Sequence, residues 1–294
     1  MCRLFGMTGG THEVQATFWL LDAATSLMLQ SENQPDGVGL GTFDDDGNPE
    51  IWKKPTQANR SETFITGAQK VRSRTFLAHI RHATATENTL ENTHPFEQHG
   101  RVFAHNGIVG DLEEIRRRLG SYTGLMHGET DSEHYFTMIT KAIDEAGGDI
   151  GAGITAAAQE IASDLALYSL NMILATPTDL WALRYPETNE LYILERSVGG
   201  FNPGDGFDER SSEGMRVEAR ELSFLPAAVI ASERMNTNTA WRLLESGELI
   251  HIDSELNVTS TMAVPFPPAH MIDLKKMTAR EAIAQGEAPV AEAG

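Results

Sequence analysis

Met1-Cys2-Arg3-Leu4-Phe5-Gly6-Met7-Thr8 is the stretch on which the fold turns. It reads as a strand that begins at Cys2, the very start of the chain, and stops at Gly9-Gly10. Chain ends are loosely held unless a sheet ties them down. The residue tied down here is Cys2, the sole cysteine of the sequence. Anywhere else a lone cysteine reads as a small buried apolar residue. Position 2 changes that. The initiator methionine is removed efficiently before a small side chain, which leaves Cys2 with a free α-amine of pKa about 7.7–8.0. Its own thiol sits near about 8.5, so the two groups are matched for proton exchange at neutral pH. An N-terminal amine serving as base for its own side-chain nucleophile is a known route to activation.

Outward from that strand, the composition is that of an ordinary globular chain: 294 residues, 40% hydrophobic, enough for a sizeable core. Acidic residues exceed basic ones 42 to 23, and a net charge of −19 argues against nucleic acid or an anionic membrane as partner. Arg116-Arg117-Arg118, the one basic run, reads as a solvated helix face. No apolar run approaches the roughly 18 residues of a membrane span. The front of the chain shows no secretory signal, and a lone cysteine suits a reducing compartment, so the expected location is the cytoplasm.

Thr11 reads as the cap of a helix carrying Val14, Phe18, Leu21, Thr25 and Met28, broken at Pro35-Asp36-Gly37. Strands are expected at 38–43 and 51–53, joined by Asp44-Asp45-Asp46-Gly47-Asn48, and at 75–80 and 101–104. Helices are expected around 61–71, from a cap pair Asp111/Glu114 through Leu119, from Thr130-Asp131-Ser132-Glu133 through Ala146, and over 153–164. The second half is strand-rich, at 169–176, 180–184, 191–195, 227–232 and 248–252, with a glycine-rich loop over 199–206. Strands and helices come in blocks, which favours α+β. The expected organisation is a single domain over 1–284 followed by a disordered tail over 285–294.

Several residues are candidates for chemistry. Asn106-Gly107 offers a side-chain amide and an unhindered backbone N–H side by side, as an oxyanion requires. The same dipeptide is also the best two-residue hairpin turn. Arg81 ends a strand within Arg81-His82-Ala83-Thr84, and could clamp a carboxylate or simply face solvent. Asp131 could bind an ammonium group or cap a helix. Gly128 would let a ligand approach the backbone closely. Seven of the ten histidines fall between His79 and His134, which raises a metal hydrolase as rival; their spacing fits no familiar ligand set.

Together these pieces resemble the glutaminase domain of the class II glutamine amidotransferases, members of the N-terminal nucleophile hydrolases. The stretches that carry the resemblance are Met1-Cys2-Arg3-Leu4-Phe5-Gly6, Ala78-His79-Ile80-Arg81-His82-Ala83-Thr84, Asn92-Thr93-His94-Pro95, Ala104-His105-Asn106-Gly107-Ile108 and Gly128-Glu129-Thr130-Asp131-Ser132-Glu133. They span residues 1–135; the second half is similar more loosely, around Ala231-Ser232-Glu233. The resemblance implies a four-layer αββα sandwich. It implies Cys2 as nucleophile with its amine as base, and Asn106 and Gly107 as the oxyanion hole. Arg81 would hold the α-carboxylate of a glutamine-like substrate and Asp131 its α-ammonium, with Thr84 and the backbone at Gly128-Glu129 lining the pocket. No metal and no organic cofactor is required.

Most members carry a synthase domain, for which no residues are left here. Arg3 and the compact length look like the stand-alone branch, similar to the γ-glutamyl hydrolases of ergothioneine biosynthesis and to glutathione-degrading relatives. The expected activity is therefore cleavage of a γ-glutamyl amide, in glutamine or a larger compound, through a Cys2 thioester. The alternatives are a glutaminase subunit feeding ammonia to a separate synthase, and a non-catalytic γ-glutamyl-binding module. The leaving amine and the oligomeric state are not readable from the sequence.

Overall fold

The computed structural model describes residues 2–23, 25–31, 36–81, 86–196, 208–210, 216–218 and 226–274. Two antiparallel sheets dominate. The first contains β1 (Arg3–Thr8), β2 (Gly37–Phe43), β3 (Pro49–Lys54), β4 (Thr75–Arg81), β9 (Tyr192–Arg196), β12 (Ala227–Ala231) and β13 (Arg242–Leu243), in the order β13-β9-β12-β1-β4-β2-β3. The second contains β5 (Phe96–Gln98), β6 (Arg101–Val109), β7 (Ala166–Ala175), β8 (Leu180–Arg184), β14 (Glu248–Ile252) and β15 (Val258–Met262), in the order β15-β14-β8-β7-β6-β5. A short β16 (His270–Met271) lies parallel to β7, and β10 (Asp208–Arg210) pairs with β11 (Arg216–Glu218) as a separate ribbon.

Side-chain alternation along β1 builds two cores at once. Leu4 points to the apolar layer between the sheets, with Leu77, Val102, Ala104, Ile173, Ala182 and Ile230. Phe5 and Met7 point the other way, into a layer with Trp19, Leu20 and Leu27, and with Phe64 and Ala68 of α2 (Glu62–Lys70). On the far face of the second sheet, α3 (Leu112–Leu119), α4 (Asp131–Glu145) and α5 (Ile150–Asp164) bury Ile115, Phe136, Ile139, Ile154 and Ile161 against β6 and β7. Phe136 stacks on Phe103 at 4.6 Å between ring centres, and truncating such a ring to alanine costs about 3–5 kcal/mol. The result is the expected α+β architecture, a four-layer αββα sandwich.

Three local expectations fail, each for a physical reason. No continuous helix spans 11–28. Val14 instead pairs with Ser73 as an isolated bridge, followed by one π-helical turn at Phe18–Asp22 and a short α1 at Leu27–Gln30. The apolar spacing is real, because Val14, Leu21 and Met28 pack in the outer core, but tertiary packing overrides the helical repeat. Asp111 stands at the N-cap position of α3 without capping it: its carboxylate accepts the N–H of Ala166 at 2.8 Å, and Glu114 pairs with Arg117 and Arg118. Finally, β6 does not end at Ala104. It runs on through Asn106 and Gly107 to Val109. The basic run is largely the solvated face expected, with Arg116 and Arg117 exposed, while Arg118 bridges to Glu160 and Asp164 on α5. The expected loop over 199–206 and the tail over 285–294 lie outside the described residues.

Candidate active site

The ladder partners of β1 fix where Cys2 lies. Arg3 pairs with Ile80 and Gly37 pairs with Arg81, so Cys2, Arg81 and Gly37 share one end of the first sheet. Three cross-sheet relations set what that end faces. Thr75, at the opposite end, hydrogen-bonds the carbonyl of Pro177. Gly41 approaches Val102 so closely that an added Cβ would come within 2.7 Å of it. His79 is electrostatically coupled to His105. Position along β4 therefore advances with position along β6, and the Cys2–Arg81 end lies toward the same end of the sandwich as Asn106-Gly107.

Asn106 is not in a turn. It sits in mid-strand opposite Asn171, 2% exposed, so the hairpin reading of Asn-Gly is excluded. Its side-chain oxygen has no hydrogen-bond partner among the described residues, while its main-chain oxygen accepts from Asn189 at 3.4 Å. A buried amide oxygen left unpaired costs about 1–3 kcal/mol, so the fold carries a penalty at this acceptor. Gly107 admits no side chain: a Cβ there would lie 1.9 Å from the carbonyl oxygen of Ser169. Directly beneath, the buried His105 ring bridges Ser132 Oγ at 3.0 Å and the Ser169 carbonyl at 2.9 Å. The carbonyl can only accept, so Nε2 carries the proton and Nδ1 accepts from Ser132. Burial lowers the pKa of His105 and so favours this neutral form, although Asp131 pulls the other way.

A register shift between Ile108 and Val109 interrupts the β6–β7 ladder. There the N–H of Val109 turns to Asp131, whose Oδ2 accepts it at 2.9 Å. Asp131 is the first residue of α4 and not its cap. Thr130 holds the cap position, its hydroxyl accepting the N–H of Glu133 at 3.2 Å. The capping box is therefore only half formed. Glu133, 3% exposed, sends its carboxylate to the N–H groups of His127 at 2.9 Å and Gly128 at 2.7 Å. An added Cβ at Gly128 would lie 2.5 Å from Asn92 Oδ1, the same oxygen that accepts the N–H of exposed Glu129 at 2.9 Å.

Arg81 is 5% exposed, which removes the surface-arginine reading. Its guanidinium donates to Asn88 Oδ1 at 2.8 Å and Thr86 Oγ1 at 2.6 Å. Asn92 Nδ2 in turn donates to the carbonyl of Glu87 at 3.2 Å. A continuous set of contacts thus runs from Arg81 through 86–92 to the 127–129 segment and α4. Thr84 lies outside the described residues. Of the histidines, the buried rings of His79 and His94 lie against each other, centres 4.0 Å apart and planes tilted by 32°, and His134 bonds the carbonyl of Thr130. Among the described residues no three His, Cys, Asp or Glu side chains are grouped to hold a metal ion.

Sequence reasoning did not single out Glu133, Asn92, Thr86 and Asn88 as supports of the site. A carboxylate in a capping-box position beside Gly128 was a usable signal for Glu133. Nothing local marked the others, whose roles depend on loops meeting in space.

Residues 1–273 match the family model for class II glutamine amidotransferases. The chain belongs to that family. A protein of Methanocaldococcus jannaschii is 30% identical over 76% of this chain and 63% of its own length. A Saccharomyces cerevisiae protein named a probable glutamine amidotransferase is 29% identical over 51% of this chain and 47% of its own. The chain thus spans less than two thirds of these relatives. Among solved structures, the glutamine phosphoribosylpyrophosphate amidotransferase of Bacillus subtilis superposes with a TM-score of 0.63 at 19% identity, over 93% of this chain and 52% of that one. A class II domain protein of Silicibacter pomeroyi gives 0.55 at 18% identity, over 90% of this chain and 100% of its own. At those identities the likeness speaks for the fold of this amidotransferase chain. Among its described residues, no helix is long and apolar enough to cross a membrane.

Proposed function

We propose that this amidotransferase hydrolyses the γ-glutamyl amide bond of glutamine or of a larger γ-glutamyl compound, with Cys2 as nucleophile. The α-amine of Cys2 takes the thiol proton and the sulfur attacks the amide carbonyl. The C–N bond breaks as the Cys2 α-ammonium passes that proton to the leaving nitrogen, and a γ-glutamyl thioester remains. Water then attacks that thioester while the Cys2 α-amine takes its proton, the C–S bond breaks, and the α-ammonium returns the proton to the sulfur, restoring the thiol. Asn106 and Gly107 donate to the oxyanion at both stages; removing one such donor typically costs about 10²–10³ in kcat.

Arg81 takes the α-carboxylate and Asp131 the α-ammonium, with Thr84 and the backbone at Gly128-Glu129 lining the pocket. Opposite charges at the two ends of the glutamyl group fix its orientation before attack. Thr86 and Asn88, which hold the guanidinium of Arg81 here, would share or yield their bonds to an arriving carboxylate. What supports this reading is that the strand registers carry the Cys2–Arg81 end of the first sheet toward the same end of the sandwich as Asn106-Gly107, where Asp131 is bonded to the N–H of Val109.

The test is Cys2→Ala assayed on a panel of γ-glutamyl amides, glutamine included. Turnover should vanish while the melting temperature is kept; undiminished turnover removes the proposal. A second reading keeps the same chemistry but changes the fate of the ammonia. It is a glutaminase that hands ammonia to a separate synthase. Weak hydrolysis of glutamine that rises when a partner is added would favour it.

A further inference from the structure

The front end of β1 is gripped from a part of the chain some 230 residues away. The β1–β12 ladder ends at Phe5 and Ala231, and beyond it side chains take over. Ser232 holds Leu4 twice: its N–H donates to the Leu4 carbonyl at 3.1 Å, and its hydroxyl accepts the Leu4 N–H at 2.9 Å. One residue further out, Arg3 Nε donates to Glu233 Oε1 at 3.1 Å, and Arg3 Nη1 donates to the carbonyl of Cys2 at 3.3 Å. The Glu233 carboxylate, the Arg3 guanidinium and the Cys2 peptide plane form one connected line.

As a stabilising device this line is weak. The Arg3 and Glu233 side chains are 19% and 34% exposed, and ion pairs open to solvent add little to stability. As a positioning device it is well placed. A processed N-terminal residue has no preceding peptide, so its only covalent tether is its carbonyl side. With that peptide plane fixed, two rotations remain, one about Cα–C and one about Cα–Cβ, and these set where amine and sulfur point.

We propose that Glu233 is a positioning residue for the N-terminal nucleophile, acting through the guanidinium of Arg3 on the Cys2 peptide. This rests on the reading of Cys2 as nucleophile given above. A planar fork suits the task, because one guanidinium can meet a carboxylate with Nε and a carbonyl with Nη1 in a fixed geometry. A displacement of about 1 Å at a reacting centre can cost on the order of 10²-fold in rate, far more than the pair contributes to stability. The leverage is therefore on kcat.

The experiment uses the full chain as Arg3→Ala, Glu233→Ala, Glu233→Gln and the Arg3→Ala/Glu233→Ala double variant, each checked by intact mass for removal of Met1. The expected result is a loss of kcat of roughly tenfold or more in both alanine variants, with KM within about twofold. The double variant should be no worse than Arg3→Ala alone, since Glu233 works through Arg3. Glu233→Gln, which keeps an acceptor oxygen, should fall between Glu233→Ala and wild type. A kcat within twofold of wild type in both alanine variants overturns the proposal, as does a double variant whose loss is the product of the two single losses.

A second measurement is independent of any amide substrate. Cys2 is the sole cysteine, so the rate of alkylation by iodoacetamide at pH 7 reads its setting directly. The rate should fall severalfold in Arg3→Ala and Glu233→Ala; an unchanged or increased rate overturns the proposal. Wild-type protein inactive on every γ-glutamyl amide would count against the functional reading alone, and the alkylation rates would still decide the role of Glu233.

Discussion

Asp131 Oδ2 accepts the backbone N–H of Val109 at 2.9 Å, which locks the first turn of α4 to the strand that carries Asn106 and Gly107. One bond thus links a proposed ammonium-binding carboxylate to a proposed oxyanion hole. The ladder irregularity at Ile108/Val109 is what turns that N–H toward the helix.

Separating the two duties of Asp131 gives the first prediction. Asp131→Asn keeps an oxygen for Val109 and removes the charge offered to the substrate. Hydrogen bonds to charged groups contribute about 1.5–3 kcal/mol, so kcat/KM should fall by roughly 10- to 150-fold. The melting temperature should barely move. Asp45→Ala, in the exposed turn between β2 and β3, should leave kcat/KM unchanged. Equal kinetics for the two variants would reduce Asp131 to a structural latch.

Gly107→Ala tests how tightly β6 lies against β7. A Cβ 1.9 Å from the Ser169 oxygen and 2.7 Å from His105 Nε2 has backbone on one side and a buried ring on the other. Overpacking of this kind costs about 1–3 kcal/mol or more, and a lower urea midpoint should report it. A midpoint equal to wild type would mean that the two strands can separate at this point without penalty.

Acid should weaken the fold well before carboxylates titrate. His79 is pushed down to about 3, first by burial and then by the positive charge of Arg81 and by His105. His94 is held well below the usual histidine value, again by burial first. The unfolded chain takes up both protons near pH 6.5 while the folded chain refuses them. Stability is therefore full above about 6.5 and declines as the pH falls toward 3, by about 1.4 kcal/mol per pH unit for each ring. Asp22, raised by burial, opposes this with a single group, and the lowered Glu248 and Asp253 matter only below their ordinary carboxylate range. Urea unfolding at pH 7 and pH 5 should show a clear loss, and His94→Leu should flatten the dependence. A wild-type profile flat over that interval contradicts the account.

Much of this was legible in the sequence, for identifiable reasons. Strand β1 announces itself as a short run from Cys2 that stops at Gly9-Gly10. The capping-box spacing at Thr130 marks the helix over 131–145, and the helices expected around 61–71 and over 153–164 stand at 62–70 and 150–164. Illegible were the features set by packing between distant segments. Val14 to Met28 has a helical repeat, yet Val14, Trp19, Leu20, Leu21 and Leu27 reach the outer layer without a continuous helix. Asn106-Gly107 looks like a turn because its partner, Asn171, is 65 positions away. Glu133 looks like half of a capping box until the 127–128 amides arrive beside it.

The most direct measurement is the chemical state of residue 2 during turnover. The protein is mixed with a γ-glutamyl amide, quenched in acid within the first turnovers, and its N-terminal peptide examined by mass spectrometry. The account predicts a peptide that begins at Cys2 and carries a γ-glutamyl group on sulfur, lost on treatment with hydroxylamine. Product formation from protein that retains Met1, or with the label on any residue other than Cys2, would contradict it.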